Sequence, residues 1–171
     1  MHIGDLTSAN KELEILNSLR AQLLNIDDAY KANQVNIQIT TVNAWIEFKK
    51  ANSEKAIELM KEAVQMENST TKHPVTPGEV LPAGELLGDM YLAMKRPSDA
   101  LAVYESDLKI HPNRFNSLYG AALSAKEIGD NKKAAQYFGI LLEQSKPFES
   151  DRSELLVAKE YLNKMGLMVM G

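Results

Sequence analysis

The stretch LLGDMYLAMKRPSDALAVYESDLKIHP, residues 86–112, decides the fold of this chain. It reads as two helical segments that meet at Pro97, a residue suited to the first turn of a helix because its missing N–H would have no partner there. Neither this stretch nor any other shows the period-two alternation of a half-buried strand. The sequence therefore predicts a helical hairpin here and an all-α chain.

The pattern of this hairpin returns further along the sequence at a period of about 34 residues, a length typical of helical repeats. The shift aligns these pairs: Gly88 with Ala122, Tyr91 with Ala125, Ala100 with Ala134, and Tyr104 with Phe138. Small residues are expected where two helices approach closely, and aromatic residues where a gap to the next unit must be filled. We therefore predict that Gly88 and Ala122 each pack against the second helix of their own hairpin.

A third, degenerate copy of the pattern lies upstream, where Ala44 corresponds to Gly88 at an offset ten positions longer than the repeat. The small or apolar positions of this copy are Ala44, Ala56, Met60 and Ala63. The extra residues fall within NSTTKHPVTPGEVLP, residues 68–82, which contains three prolines. We predict an insertion at residues 71–80 that its prolines hold in an extended or turn conformation outside the helices.

The repeat pattern resembles that of the tetratricopeptide repeat family, which has the same period. The resemblance rests on LLGDMY from Leu86, ALAVY from Ala100, and the His-Pro pair at His111. HPVTPGEVLPAGELLGDMY and HPNRFNSLYGAA are also similar to the C-terminal part of a group of bacterial tetratricopeptide proteins of unknown role. The resemblance implies a right-handed α-α superhelix of about eight helices whose concave groove binds a peptide or protein segment.

The predicted organisation is a single domain over residues 1–171. Its parts are an N-terminal helix at 7–28, a degenerate repeat at 29–70, the insertion at 71–80, repeats at 81–114 and 115–148, and a C-terminal capping helix and tail at 149–171. Ser53 is predicted to cap the third helix, and Gly129 to end the sixth in a left-handed conformation. The departures from the repeat pattern at Glu47, Asp107 and Ala125 make the individual repeats imperfect.

The composition argues against a nucleic-acid partner and does not identify the cellular compartment. The net charge is −4 and basic residues are interspersed with acidic ones, so the sequence shows no basic patch that could bind the phosphates of a nucleic acid. The sequence shows no membrane segment, and its lack of cysteine suits the cytoplasm or, if a longer parent chain is exported, the periplasm. The chain begins almost directly on a helix signal, which suggests that it is a fragment of a longer protein.

The candidate partner-binding residues lie on the first helix of each hairpin, the side that lines the groove in this family. They are Trp45, Phe48, Glu85, Asp89, Asn116, Tyr119, Leu123 and Lys126. Trp45, the only tryptophan, is either an anchor for the partner or part of the core under the N-terminal helix. The Lys and Asn clamp with which some relatives hold a terminal carboxylate is absent.

The alternative is an enzyme or metal site near the insertion, built from Glu85, Asp89 and His73. Glu85 and Asp89 stand four residues apart on one helix face, where a solvated surface explains them more simply. His73 and His111 are far apart in the sequence and lack ligand spacing on one element. SANK at Ser8 has the S-x-x-K pattern of acyl enzymes without its companion motifs. We predict no catalytic residue, metal or cofactor.

Overall fold

The structure, a computed structural model, describes residues 6–70, 81–147 and 150–167, and within these ranges every regular element is an α-helix. There are eight: α1 Leu6–Asn25, α2 Ala29–Lys49, α3 Ser53–Ser69, α4 Ala83–Ala93, α5 Pro97–Ile110, α6 Phe115–Glu127, α7 Asn131–Ser145 and α8 Ser153–Lys164. The predicted all-α class is confirmed. The predicted insertion, residues 71–80, lies outside the described residues.

The chain divides into two compact units, residues 1–83 and 84–171. In the first unit, α2 packs against both α1 and α3. In the second unit, α6 packs against α5 and α7, and α7 packs against α8. Within each unit, helices that follow each other along the chain are thus neighbours in space, as expected for a series of helical hairpins.

A common turn joins the two helices of each hairpin. In each turn one residue has a positive φ: 64° at Ala51, 56° at Lys95 and 80° at Gly129. The next backbone N–H then bonds the carbonyl five residues back at 2.9 Å, as in Arg96 to Tyr91 and Asp130 to Ala125. This is the Schellman ending of a helix. The step from Ala51 to Lys95 equals the longer offset found in the sequence, and the step from Lys95 to Gly129 equals the repeat period.

Two of the predicted helix ends can be compared directly. Gly129 has the predicted left-handed conformation just after α6. Ser53 is instead the first residue of α3, and Asn52 occupies the capping position without a side-chain bond to the helix. Pro97 is the first residue of α5, where its lack of an N–H has no cost.

The buried apolar side chains of the first unit include one cluster of three residues. Ile37, Ala63 and Ala83 are buried together. Glu67, also buried, accepts a hydrogen bond from the Ala83 backbone N–H at 2.9 Å. Because the first N–H groups of a helix have no partner within it, this carboxylate satisfies the start of α4.

One apolar core of the second unit lies among α6, α7 and α8. Its buried members are Leu118, Ala122, Phe138, Leu141, Leu155, Ala158 and Leu162. The α8 members Leu155, Ala158 and Leu162 repeat the spacing of Leu118, Ala121 and Ala125 on α6. In the same register Gly166 corresponds to Gly129, and both have a positive φ. The helix α8 therefore packs against α7 as the first helix of a further hairpin would.

Candidate partner-binding surface

Glu85 stands at the centre of a buried polar cluster formed by α4, α5 and α6. The cluster consists of Glu85, Asp107, His111, Arg114, Asn116 and Ser117. Arg114 Nε donates to Glu85 Oε2 at 2.7 Å, and Asn116 Nδ2 donates to Oε1 at 3.1 Å. The Glu85 side chain is only 1% exposed, so its charge is neutralised inside the fold. The interpretation of Glu85 as part of a solvated face was wrong.

Asp107 is the second buried acid of this cluster. Ser117 Oγ donates to Asp107 Oδ2 at 2.6 Å and lies 3.3 Å from Glu85 Oε2. Since a hydroxyl has one proton, the shorter contact is its donated bond and the longer one a close approach. His111 Nδ1 lies 2.8 Å from the other oxygen of Asp107. The last turn of α5 and the first turn of α6 are thus tied by side-chain bonds.

Gly84 explains why an acid can stand at position 107. A Cβ atom on Gly84 would lie 3.0 Å from Asp107 Oδ1 and 3.4 Å from its Cβ, closer than nearly all real Cβ contacts. The missing side chain of Gly84 therefore gives Asp107 its space. The departure from the repeat pattern at Asp107 is compensated by a second departure at Gly84.

Tyr104 fills the interior of the α4–α5 hairpin. A Cβ on Gly88 would lie 2.5 to 2.8 Å from three atoms of its ring, and one on Gly120 of α6 would overlap the same ring. The ring is therefore held between two glycines. This contact confirms that Gly88 packs against the second helix of its own hairpin. Ala122, the other predicted residue, is fully buried in the core with Phe138 of α7.

Asp89 is turned toward the same interior. The Tyr104 hydroxyl donates to Asp89 Oδ1 at 2.5 Å. Burial raises the pKa of Asp89 above its ordinary 3.8, the bond from Tyr104 partly offsets this, and the charge of Glu85 adds to the rise. Burial, followed by the charge of Asp89, raises the pKa of the Tyr104 hydroxyl far above its usual range. Asp89 is engaged within its hairpin and is only partly accessible.

Four predicted contacts lie together on one side of α6. Asn116, Tyr119, Leu123 and Lys126 follow a three-and-four spacing, which places them on one helix face; we call them the α6 face. Asn116 and Lys126 are exposed, and Tyr119 and Leu123 are half-buried. Tyr119 meets Phe138 edge-on at 6.2 Å, and burial followed by the charge of Glu154 raises its pKa.

Two cation–aromatic contacts connect the ends of α6 to α8. The Arg152 guanidinium lies 3.7 Å above the centre of the Phe115 ring, and Lys126 Nζ lies 5.9 Å from that of Tyr161. Arg152 also bonds Glu154 at 3.1 Å, whereas no ion pair joins Lys126 to any acid in the part of the chain that the structure describes. The charge of Lys126 thus remains available at the rim of the α6 face.

Trp45 and Phe48 lie on α2 in the first unit. Their rings meet edge-on at 5.5 Å, and Trp45 is 9% exposed. The Trp45 Nε1 atom is buried and has no hydrogen-bond partner among the described residues. Of the two roles that the sequence left open for Trp45, its burial favours packing in the core. Phe48 is half-buried and remains partly accessible.

The residues of the enzyme and metal hypothesis do not come together. His73 lies outside the described residues, and Glu85 and Asp89 are engaged as above. Over residues 6–70, 81–147 and 150–167, no three His, Asp or Glu side chains are grouped so as to hold a metal ion. Ser8 and Lys11 lie inside α1 rather than before it. No described helix combines the length and apolar character required to cross a bilayer.

Neither a protein-family model nor a curated protein matches the chain, but solved structures do. A crystal structure of MamA has a TM-score of 0.55 at 18% identity, covering 83% of each chain. The TPR-like repeats of a Podospora anserina putative kinesin light chain reach 0.60 at 18% identity, over 91% of this chain and 76% of that one. MamA from residue 41 to its end, from Desulfovibrio magneticus RS-1, reaches 0.54 at 12% identity over 97% of both.

The fold is tetratricopeptide-like. The similarity of the solved structures confirms the type of fold that the repeat pattern indicated, at identities that carry no further conclusion. Within this fold α6 is the first helix of its hairpin, and Asn116 and Lys126 on it are exposed.

Proposed function

We propose that this chain is a non-catalytic interaction scaffold and that the α6 face binds an extended segment of a partner protein. The observation that supports it most is the α6 face itself, where half-buried Tyr119 and Leu123 lie between exposed Asn116 and Lys126. Aromatic residues dominate interface energetics, and a polar rim around an apolar centre is the usual composition of an interface. Glu85, Asp89 and Trp45 are not among the proposed contacts: Glu85 and Trp45 are buried, and Asp89 accepts a hydrogen bond from Tyr104 within its own hairpin.

The size of the α6 face sets the length of the partner segment. From Asn116 to Lys126 the helix rises about 15 Å, at about 1.5 Å per residue. An extended chain advances about 3.3 Å per residue, so roughly five residues would lie along the face. We expect such a segment to offer an apolar side chain to Tyr119 and Leu123 and a carboxylate to Lys126.

A display library of random peptides tests the proposal. Peptides enriched on the wild-type chain are measured for binding to Tyr119→Ala and Lys126→Glu, with Lys132→Glu, an exposed charge reversal on α7, as the matched control. We expect Tyr119→Ala to weaken binding about tenfold or more, Lys126→Glu to weaken it, and the control to bind as the wild type does. Circular dichroism and thermal unfolding establish that each variant is folded.

Two outcomes would contradict the proposal. The first is a library that yields no enriched peptide. The second is a set of peptides that bind folded Tyr119→Ala and Lys126→Glu as tightly as wild type.

A further inference from the structure

The ring of Tyr161 lies beneath the charged end of Lys126, the lysine of the α6 face. Lys126 Nζ is 5.9 Å from the centre of this ring, within the distance of about 6 Å at which a cation is attracted to an aromatic face. Lys126 is exposed in the last turn of α6, whereas Tyr161 is half-buried on α8. The charge at the rim of the α6 face is therefore attracted to a side chain of a different helix.

The Tyr161 ring is itself fixed at two points. Its hydroxyl donates to Asn131 Oδ1, at the start of α7, at 2.9 Å. Its centre is 5.1 Å from that of the Phe138 ring, which is fully buried in the core of α6, α7 and α8. A hydrogen bond at the hydroxyl and packing against the ring together restrict its side-chain torsions. Tyr161 thus presents Lys126 with an aromatic surface of defined orientation.

Arg152, the other cation that lies over a ring beside α6, has a different environment. Its guanidinium is 3.7 Å above the centre of the Phe115 ring and also bonds Glu154 at 3.1 Å. Lys126 has an aromatic ring beneath it but no ion pair with any acid within residues 6–70, 81–147 and 150–167. An aromatic ring holds a cation in place without neutralising its charge, whereas a carboxylate does both. The charge of Lys126 is therefore held in place and still available to an acid outside the chain.

We infer that Tyr161 is a positioning residue, whose ring holds Lys126 at the end of the α6 face where Lys126 binds a carboxylate of the partner segment. The inference rests on the proposed function and extends its site from α6 to α8. A lysine carries its charge on a flexible stem, and fixing such a side chain costs conformational entropy when an exposed ion pair forms. Because the ring fixes Lys126 before the segment binds, segments with an acidic residue gain affinity over segments with an amide in its place.

Nuclear magnetic resonance of the whole chain tests the positioning without any partner. Protons above the face of an aromatic ring are shifted upfield. The ε-CH2 protons of Lys126 should therefore lie upfield of those of Lys132, an exposed lysine on α7. Tyr161→Leu should return them to the position of Lys132, whereas Tyr161→Phe, which keeps the ring, should leave them upfield.

Peptides selected from the display library on the wild-type chain test the effect on recognition. Each acidic peptide is compared with a copy in which Asn or Gln replaces the acidic residue, and the ratio of the two affinities measures the discrimination. Lys126→Gln should abolish the discrimination, and Tyr161→Leu should lower it about threefold. Tyr161→Phe should restore it to the wild-type value.

Tyr137→Leu is the matched control, since it removes another half-buried tyrosine that packs against the same core. It should discriminate as the wild type does. Thermal unfolding establishes that each variant is folded, and Tyr161→Met replaces Tyr161→Leu if the latter is not.

Four results would overturn the inference and leave the proposed function in place. The first is a set of selected peptides that bind through Tyr119 but contain no acidic residue. The second is a wild-type chain in which the ε-CH2 protons of Lys126 and Lys132 coincide, so that Lys126 is only a charge at a helix end. The third is Tyr161→Leu with wild-type discrimination where Lys126→Gln has lost it. The fourth is an equal loss in Tyr161→Phe or in Tyr137→Leu, which would attribute the effect to something other than the ring.

A failure of the proposed function itself has a different signature. Peptides that bind folded Tyr119→Ala and Lys126→Glu as tightly as wild type would contradict the site on α6, and the role of Tyr161 in recognition with it.

Discussion

The two hairpins of the second unit, α4–α5 and α6–α7, solve the same packing problem with opposite chemistry. At equivalent positions of the repeat, the first hairpin has Gly84, Tyr104 and Asp107 where the second has Leu118, Phe138 and Leu141. Leu118, Phe138 and Leu141 belong to one apolar core. Asp107 and Tyr104 are instead buried with hydrogen bonds to Ser117 and Asp89.

The difference shows that the repeat accepts a buried acid at this position when the facing side chain is removed and polar partners are supplied. At the two positions where α6–α7 has Leu118 and Leu141, α4–α5 has Gly84 and Asp107. The space left by the missing side chain of Gly84 accommodates Asp107. Both hairpins are closely packed at these positions, and the polar one also requires hydrogen-bond partners for its buried acid. Ser117 and Arg114, at the start of α6, supply those partners. The polar hairpin α4–α5 is therefore held to the start of α6 by specific hydrogen bonds. The apolar hairpin α6–α7 is held to α8 by the burial of apolar side chains.

The largest effect is expected where the polar hairpin is tightest. Gly88→Leu should destabilise the chain by about 3 kcal/mol, because the Tyr104 ring is held between Gly88 and Gly120 and cannot move aside. Urea unfolding measures the cost. Gly139→Leu on α7 is the matched control, since a Cβ there meets nothing within 4 Å. Equal stability of Gly88→Leu and the wild type would contradict the packing of this hairpin.

The buried ion pair gives the next largest effect. Glu85→Ala should cost roughly 2 to 4 kcal/mol, because it removes the buried carboxylate that accepts hydrogen bonds from Arg114 and Asn116. Glu105→Ala is the control, since its bonds to Lys133 and Tyr137 are partly solvated and should contribute less than the buried pair does. A cost for Glu85→Ala as small as that of Glu105→Ala would show that the polar cluster adds no stability.

Exchanging the two equivalent aromatic residues tests polarity alone. Phe138→Tyr should cost roughly 2 kcal/mol, because it buries a hydroxyl within an apolar core. Tyr104→Phe should cost only about 1 kcal/mol, the net value of its bond to Asp89. Chemical unfolding of both variants gives the comparison. If Phe138→Tyr proved the milder change, the second hairpin would not be the apolar one.

The smallest effect is the pH dependence introduced by Asp89. Its pKa in the folded chain is raised above 3.8, so the folded state holds the proton more tightly than the unfolded state does. Stability is therefore lost as pH rises through the raised pKa. Asp89→Asn cannot ionise and keeps an oxygen for Tyr104. Its stability relative to wild type should increase as the pH rises above 3.8. A difference that stays constant over this range would contradict the raised pKa.

Much of the fold could be predicted from the sequence because repeats encode it locally. Gly88, Ala122 and Gly129 stand where a small side chain or a positive φ is required, and their spacing is visible without a structure. The buried role of Glu85 could not be found in this way, since its partner Arg114 lies beyond the following helix and a four-residue spacing to Asp89 suggests a shared surface. The sequence signal for this buried polar cluster was the pair Gly84 and Asp107, which both depart from the repeat pattern and compensate each other in size.

The Schellman turns also determine the order in which the chain can acquire structure. Because each turn reverses the chain within a few residues and consecutive helices are neighbours, most buried contacts join segments close together in sequence. Proteins with such local contacts have low contact order and fold rapidly. Synthesis proceeds from the N-terminus, so a hairpin closed by Ala51 or Lys95 can form while later residues are still being added. The bonds from Arg114 and Ser117 to the polar hairpin can form a few residues after α5 has been made, whereas the core of the apolar hairpin is complete only once Leu162 of α8 has been added.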